Sequence, residues 1–266
     1  MLRWVQNFRW RSLRSGLKSK LAKSPSEGDR RIEDNHLPNT LSGYCPCHVR
    51  LAKEADSPAI VQFVQAILLH HEPLVRSLHV CRSSASESGL ADYIRVLLPD
   101  SFTLLAVNPV QPERIVGVAI GRRSCHWDGK RLIERADRTR CDQLRKLLYI
   151  WSIVEAEPNL HQHFCTRCLF EIAFLATAID AQRRGIGLHL TQRSVALARD
   201  LGFHFVRMNC SCEYSSRVAT KAGLECHWTV PYHHLVDSTE QPVALPDPPH
   251  THIKVHAMAL FPDAVH

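Results

Sequence analysis

Residues 175 to 187 read Leu-Ala-Thr-Ala-Ile-Asp-Ala-Gln-Arg-Arg-Gly-Ile-Gly: the end of an apolar strand, a short connection, and a basic turn with two spaced glycines. Leu188, Thr191, Val195, Ala198 and Leu201 then recur at helical spacing, so a helix opens at the turn and buries one face. The first N–H groups of a helix have no partner inside it, and the macrodipole makes that end partly positive. A phosphate can dock there without a dedicated side chain, with Gly185 and Gly187 admitting it close to the backbone and Arg183 and Arg184 adding charge. The stretch therefore predicts strand, phosphate-binding turn, helix. It lacks the lysine and hydroxyl of a P-loop, and the three-glycine spacing with a downstream acid of a dinucleotide fold. An ordinary strand-to-helix turn with chance glycines is the competing reading.

The chain has 266 residues, 45% of them apolar, enough for one domain with appendages. No apolar run approaches the length that spans a bilayer, so a soluble protein is expected. The formal net charge of +7 is localised: Arg3, Arg9, Arg11, Arg14, Lys18, Lys20 and Lys23 all precede the first acid, Glu27, and account for it entirely. The remaining body is neutral, which argues against a broad nucleic-acid surface. Residues 1–26 interleave those cations with Trp4, Phe8, Trp10, Leu13 and Leu17, and three readings stay open: a solvated tail, an amphipathic segment at a membrane surface, or an organelle-targeting presequence. Arginines interrupt the apolar core that a secretory signal needs. Residues 24–43, rich in Ser, Pro, Gly and charge, read as a linker. The expected division is a tail over 1–43 and a domain over 44–266. A cytoplasmic monomer is expected, with mitochondrial or membrane association depending on residues 1–26.

Along the domain, His48 to Leu51 suits a first strand, and Asp56 or Ser57 can cap a helix that carries Pro58 in its first turn. Ile60, Val61, Val64, Ile67 and Leu68 continue that helix to His70-His71-Glu72-Pro73-Leu74, where the proline breaks it and leaves Glu72 at the break. A second helical stretch follows, then a hairpin of Phe102 to Val107 and Ile115 to Ile120 about the turn Asn108 to Glu113. After a variable charged segment, Cys141 to Glu157 has a helical pattern and Phe170 to Ala176 is the strand that enters the phosphate turn. Beyond Gly202 come a strand from His204 to Cys210, a loop and short helix stopped by Gly223, and closing strands at His227 to Val230 and Ile253 to Leu260. The order is mixed α/β and fits one twisted sheet covered by helices.

Gln182, Gly185 and Gly187 match motif A of the GNAT superfamily of N-acetyltransferases, Gln/Arg-x-x-Gly-x-Gly/Ala, and the element order over about residues 44 to 261 resembles a GNAT domain. Within the superfamily the chain is most similar to the insect arylalkylamine, or dopamine-type, N-acetyltransferases. Glu72-Pro73-Leu74 matches a Glu-Pro-Leu whose glutamate is the catalytic base, and Cys210-Ser211-Cys212-Glu213-Tyr214-Ser215-Ser216-Arg217-Val218 is similar to Cys-Ser-Ser-His-Tyr-Ser-Ala-Arg-Val, with Ser211 and Ser215 on the two serines that act with it. The resemblance implies a mixed α/β GNAT fold with a central sheet of about seven strands and helices on both faces. It also implies acetyl-CoA as co-substrate, no metal and a small arylalkylamine acceptor. Leu175, Ala176 and Thr177 would hydrogen-bond the pantetheine arm, and Gln182, Arg183, Arg184, Gly185, Ile186 and Gly187 would hold the pyrophosphate. A polyamine or protein amine as acceptor, and a catalytically silent acyl-CoA-binding module, are the alternatives. Arg183 stands where many members have glycine, and Thr177 where an apolar residue is usual.

Acetyl transfer needs a neutral amine, while an alkylammonium holds its proton with a pKa of about 10, so a base must take it at the site. The resemblance makes Glu72 the candidate for that base, working through water; on sequence position alone a helix-terminal surface acid is the favoured reading. Backbone N–H groups around Ala176 and Thr177 are placed to meet the oxyanion. Ser215 or Tyr214 is the expected proton donor to the departing thiolate, with Ser211 in the relay. The plainer roles are helix capping for Ser211 and packing for Tyr214. His70 and His71 flank the base and can tune it. Segments Arg122 to Thr139 and Asn159 to Cys168 are expected to line the amine pocket. The ten cysteines are expected as thiols, and His161, His163, Cys165 and Cys168 form only a partial zinc pattern.

Overall fold

The computed structural model describes residues 9–10, 47–80, 84–100 and 102–261. The tail reading for residues 1–43 falls almost wholly outside them, apart from Arg9–Trp10, whose backbone pairs antiparallel with Leu235–Val236. Among the described residues no helix is long and apolar enough to cross a membrane.

The domain runs β1 (His48–Leu51), α1 (Ser57–His71), α2 (Ser84–Leu97), β2 (Leu104–Val107), β3 (Ile115–Cys125), α3 (Asp128–Arg138), α4 (Asp142–Ala156), β4 (Cys168–Thr177), α5 (Ile186–Asp200), β5 (Phe205–Cys210), α6 (Glu213–Lys221), β6 (Glu225–Pro231) and β7 (His252–Ala259). These strands form one seven-stranded sheet in the order β1-β2-β3-β4-β5-β7-β6. Every neighbouring pair is antiparallel except β4 and β5. The expected mixed sheet with helices on both faces is thus the observed one.

Period-two alternation divides the interior into two layers. Leu105 and Val107 of β2 join Val64, Leu68, Leu90 and Leu147 of α1, α2 and α4, whereas Leu104 and Ala106 face Ile186, Leu190 and Ala198 of α5. All four residues of β2 are buried, as expected of a strand covered on both sides. Gly117 lets α5 lie close on β3: a Cβ there would stand 2.9 Å from Ile186 Cγ2 and 2.9 Å from Leu190 Cδ1. Gly223, at φ +95°, is the left-handed stop of α6.

Two local expectations are corrected. Asp56 stands at the head of α1 but makes no cap to it; its carboxylate binds Arg50 at 2.7 and 2.9 Å and the Lys53 N–H at 2.7 Å. The segment read as variable and charged continues β3 to Cys125 and then forms α3, whose apolar stripe is only Leu132 and Ala136, too narrow to show as a helical pattern.

Candidate active site

β4 and β5 pair in parallel only from Phe170–Ile172 to Val206–Met208. A bulge follows at once: Gly121 pairs with Ile172 and Ile120 with Phe174, so Ala173 is the extra residue and β4 bends away with β3. β5 meanwhile continues beside β7 to Cys210. The two central strands therefore part, and a wedge opens between Ala173–Thr177 on one side and Ser211 with the head of α6 on the other.

The turn at residues 182–187 follows the end of β4. Gln182, Arg183 and Arg184 are exposed, Arg183 has φ +62° and Gly185 has φ +80° at the head of α5, where no side chain caps the helix. Gly185 has open space where a Cβ would be, and one at Gly187 would lie 3.7 Å from both Leu175 Cδ2 and Thr177 Oγ1. Bare helix N–H groups, open glycines and a free strand edge suit a pyrophosphate followed by an extended amide-bearing arm. Leu175, Ala176, Thr177, Ile186 and Gly187 are all brought to this one place.

Glu72 closes α1 in an extended conformation, as the proline after it requires. Its two carboxylate oxygens have different duties: Oε2 accepts from the Val75 N–H at 2.6 Å, capping the turn Pro73–Ser77, while Oε1 accepts from Ser211 Oγ at 2.6 Å. Burial pushes the carboxyl pKa up, and the hydrogen bonds from Ser211, Val75 and Leu74 only partly oppose it. This carboxyl thus titrates above the range of a surface glutamate. His70 and His71, by contrast, are exposed beside it.

Ser211 does not cap α6. That role falls to Cys212, whose Sγ accepts from the Ser215 N–H at 3.3 Å, leaving Ser211 free for Glu72. Ser215 Oγ donates to the Cys212 carbonyl at 2.9 Å. Tyr214, the other expected donor, is 55% exposed and packs edge-on against His250, 5.1 Å away. Tyr232, by contrast, is buried, and its hydroxyl donates to the Ser211 carbonyl and holds that loop.

Glu72, Ser211, Cys212 and Ser215 line a cavity of about 130 Å³ that runs back into the wedge. Tyr93, Trp151 and Phe174 wall it, with ring centroids 5.2 Å apart for Tyr93–Trp151, 6.2 Å for Tyr93–Phe174 and 5.7 Å for Trp151–Phe174. Its far wall is ionic. Arg122 meets Asp128 at 2.6 Å, Glu155 at 3.3 Å and Glu171 in a close pair; Arg207, fully buried, meets Glu155 at 3.1 Å. Asn209 donates to Glu171 at 2.9 Å. Burial works against the charge on Glu155, but Arg207 and Arg122 outweigh it and hold its pKa low. Burial of Glu171, with Arg122 opposing and Glu155 reinforcing, lifts its pKa to about 7.

Of the two segments expected around the amine, Arg122 and Leu132 of the first reach the cavity, and 159–168 contributes nothing to its lining. His161 instead approaches Ser124 Oγ at 3.4 Å, and Cys168 lies opposite Cys125 in the β3–β4 ladder. Among the described residues no group of three His, Cys, Asp or Glu side chains is placed to hold a metal ion. The ionic wall was missed, although a signal for it exists: Glu171 and Arg207 each interrupt an apolar strand, a place where charge persists only when paired.

No protein-family model and no curated protein matches the sequence. Solved structures do match the fold. The arylalkylamine N-acetyltransferase 2 of Aedes aegypti aligns over 81% of this chain and 99% of its own at 19% identity, with a TM-score of 0.74. An agmatine N-acetyltransferase aligns over 80% and 99% at 20% identity with a TM-score of 0.72. The Drosophila melanogaster polyamine N-acetyltransferase that forms N-acetylagmatine gives 80% and 99%, 20% identity and 0.70. With its parted central strands and the turn at Gly185 between β4 and α5, this chain has the GNAT fold that these N-acetyltransferases share.

Proposed function

We propose that the chain is an acetyl-CoA-dependent N-acetyltransferase acting on the primary amine of a small molecule, with arylalkylamines of the dopamine, serotonin, octopamine or tryptamine class among its acceptors. The observation that carries this reading is the Ser211–Glu72 hydrogen bond of 2.6 Å, which sets a carboxylate of raised pKa at the mouth of the wedge. The names of the similar structures, arylalkylamine and agmatine N-acetyltransferases, support acetyl transfer to small amines.

Acetyl-CoA supplies the acetyl thioester. Gln182 to Gly187 and the head of α5 hold its pyrophosphate, and the free edge of β4 from Ala173 to Thr177 pairs with its amide arm. Glu72 takes the proton of the ammonium through water. Its burial is what makes a carboxylate basic enough for the task. The Thr177 N–H, on the edge of β4 away from β3, faces the negative charge that develops on the acyl oxygen. Ser215, which lines the cavity where Tyr214 does not, returns a proton to the thiolate. Tyr93, Trp151 and Phe174 give an apolar acceptor body its walls, and a cavity of about 130 Å³ favours a small amine over a protein side chain with its flanking backbone.

The test is a panel of small amines with acetyl-CoA, read by thiol release from the wild type and from Glu72→Gln. Turnover that is unchanged by the substitution would remove Glu72 from the mechanism. Absence of turnover with every amine, alongside intact acetyl-CoA binding, would favour a silent acyl-CoA-binding module.

A further inference from the structure

Proton removal by Glu72 makes no use of the far wall of the cavity. There Glu171, 3% exposed, lines the cavity. Its Oε1 accepts from Asn209 at 2.9 Å, and its Oε2, although ion-paired with Arg122, accepts no hydrogen bond among the described residues. The charges around it do not balance. Arg122 and Arg207 face Asp128, Glu155 and Glu171, which leaves one negative charge in excess. Arg131 also approaches Asp128, at 3.6 Å, but its side chain is 69% exposed and solvent screens it. An uncompensated buried charge is costly, and burial lifts the Glu171 pKa to about 7.

The three rings of Tyr93, Trp151 and Phe174 line the same cavity as this carboxyl and Glu72. Aromatic faces are negative, and grouped rings bordering an anion attract a cation as readily as they pack an apolar chain. Arg135 already uses the ring of Tyr93 this way, its guanidinium carbon 5.5 Å from the centroid. A monoamine brings a single positive charge and gives it up at Glu72. It leaves the far wall unsatisfied.

We propose that Glu171, held by Asn209, binds a second positively charged group at the far end of the acceptor, so that the preferred substrates are primary alkylamines carrying a distal ammonium or guanidinium. The proposal rests on the preceding reading for the identity of the cavity and ranks the acceptors within it. Arylalkylamines fill the aromatic walls but bring the carboxylate no second cation beside Arg122.

Calorimetric binding of 1,5-diaminopentane and 1-aminopentane to the full chain, with coenzyme A present, compares two ligands of equal length that differ by one charge. The diamine is expected to bind about tenfold tighter or better, the worth of one close charge pair in a partly buried site. Glu171→Gln keeps the shape and removes the charge, so the ratio should fall to within about threefold. Equal binding by the wild type overturns the proposal even if the variant fails to fold, and so does a ratio that survives in folded Glu171→Gln. Turnover of agmatine against phenethylamine separates the two readings. No acetylation of either with the binding ratio intact sinks the transferase and not this site, whereas efficient acetylation with no preference for the dication sinks this site alone.

Discussion

Ser211 Oγ lies 2.6 Å from Glu72 Oε1, although the two residues are separated by 139 positions in the chain. One sits where Pro73 ends α1, the other where β5 runs out before α6. Their contact joins the two halves of the molecule across the wedge. It also gives the carboxylate one fixed oxygen, on Val75, and one that faces the cavity through a hydroxyl.

Glu72→Gln should abolish most turnover while leaving acetyl-CoA affinity unchanged, because the amide keeps an acceptor for the Val75 N–H but takes no proton. General-base catalysis is worth about 10²- to 10⁴-fold, and the loss is expected in kcat within that range. Steady-state kinetics with calorimetric titration of acetyl-CoA checks both halves. A fall in acetyl-CoA affinity equal to the fall in kcat would point to structural collapse instead.

The Ser211 hydrogen bond favours the charged form of Glu72, so its removal must raise the carboxyl pKa further. Because the base works deprotonated, activity rises with pH through that value, and burial already places the rise above the ordinary 4.5 of a glutamate. In Ser211→Ala the acidic limb of the kcat profile should move to higher pH, and in Ser211→Thr it should return. A purely structural role for Ser211 would lower the plateau without moving the limb.

The strand-turn-helix at 175–187 and the break at Glu72 were legible because each rests on local rules: glycines with open or left-handed backbone, a helix head without a cap, a proline that ends a helix. Tyr214 and Tyr232 show where local reasoning stops. Tyr214 lies in the conspicuous motif and faces solvent, whereas Tyr232, in an unremarkable Pro-Tyr-His-His stretch, is brought behind Ser211 by pairing of β6 with β7. The aromatic walls of the cavity come from α2, α4 and β4, and no window of sequence holds Tyr93, Trp151 and Phe174 together. α3 was hidden for a related reason. Its two buried apolar side chains, Leu132 and Ala136, are too few to mark a helix and enter the core through the packing of α3 on α4.

Gly187→Ala separates folding from binding. Its new Cβ would meet Leu175 and Thr177 at ordinary contact distance, and alanine is favoured over glycine within a helix by about 0.5–1 kcal/mol, so thermal stability should hold or rise slightly. The same methyl occupies the approach to the helix head, and the KM for acetyl-CoA should rise about tenfold, equivalent to about 1.4 kcal/mol of lost binding. Gly185→Ala forces an alanine to φ +80° and should cost stability as well, by about 1 kcal/mol. Scanning calorimetry beside thiol-release kinetics distinguishes the two, and a Gly187→Ala protein with unchanged KM would move the pyrophosphate elsewhere.

Arg207 is the largest fully buried side chain and the nearest cation to Glu155, so Arg207→Met should leave two glutamates sharing Arg122 alone. Breaking a buried pair from one side costs about 3–5 kcal/mol, and the loss should appear as a lower urea midpoint with little change in slope. Adding Glu155→Gln removes the stranded charge while retaining an acceptor for Ser124, which donates to Glu155 at 2.8 Å. The double variant should therefore recover more than half of the loss, because removing one charge of each sign returns the wall to its original balance. Single-variant losses that simply add in the double variant would mean that Arg207 holds the sheet by packing its stem, and that the ionic wall is not a coupled unit.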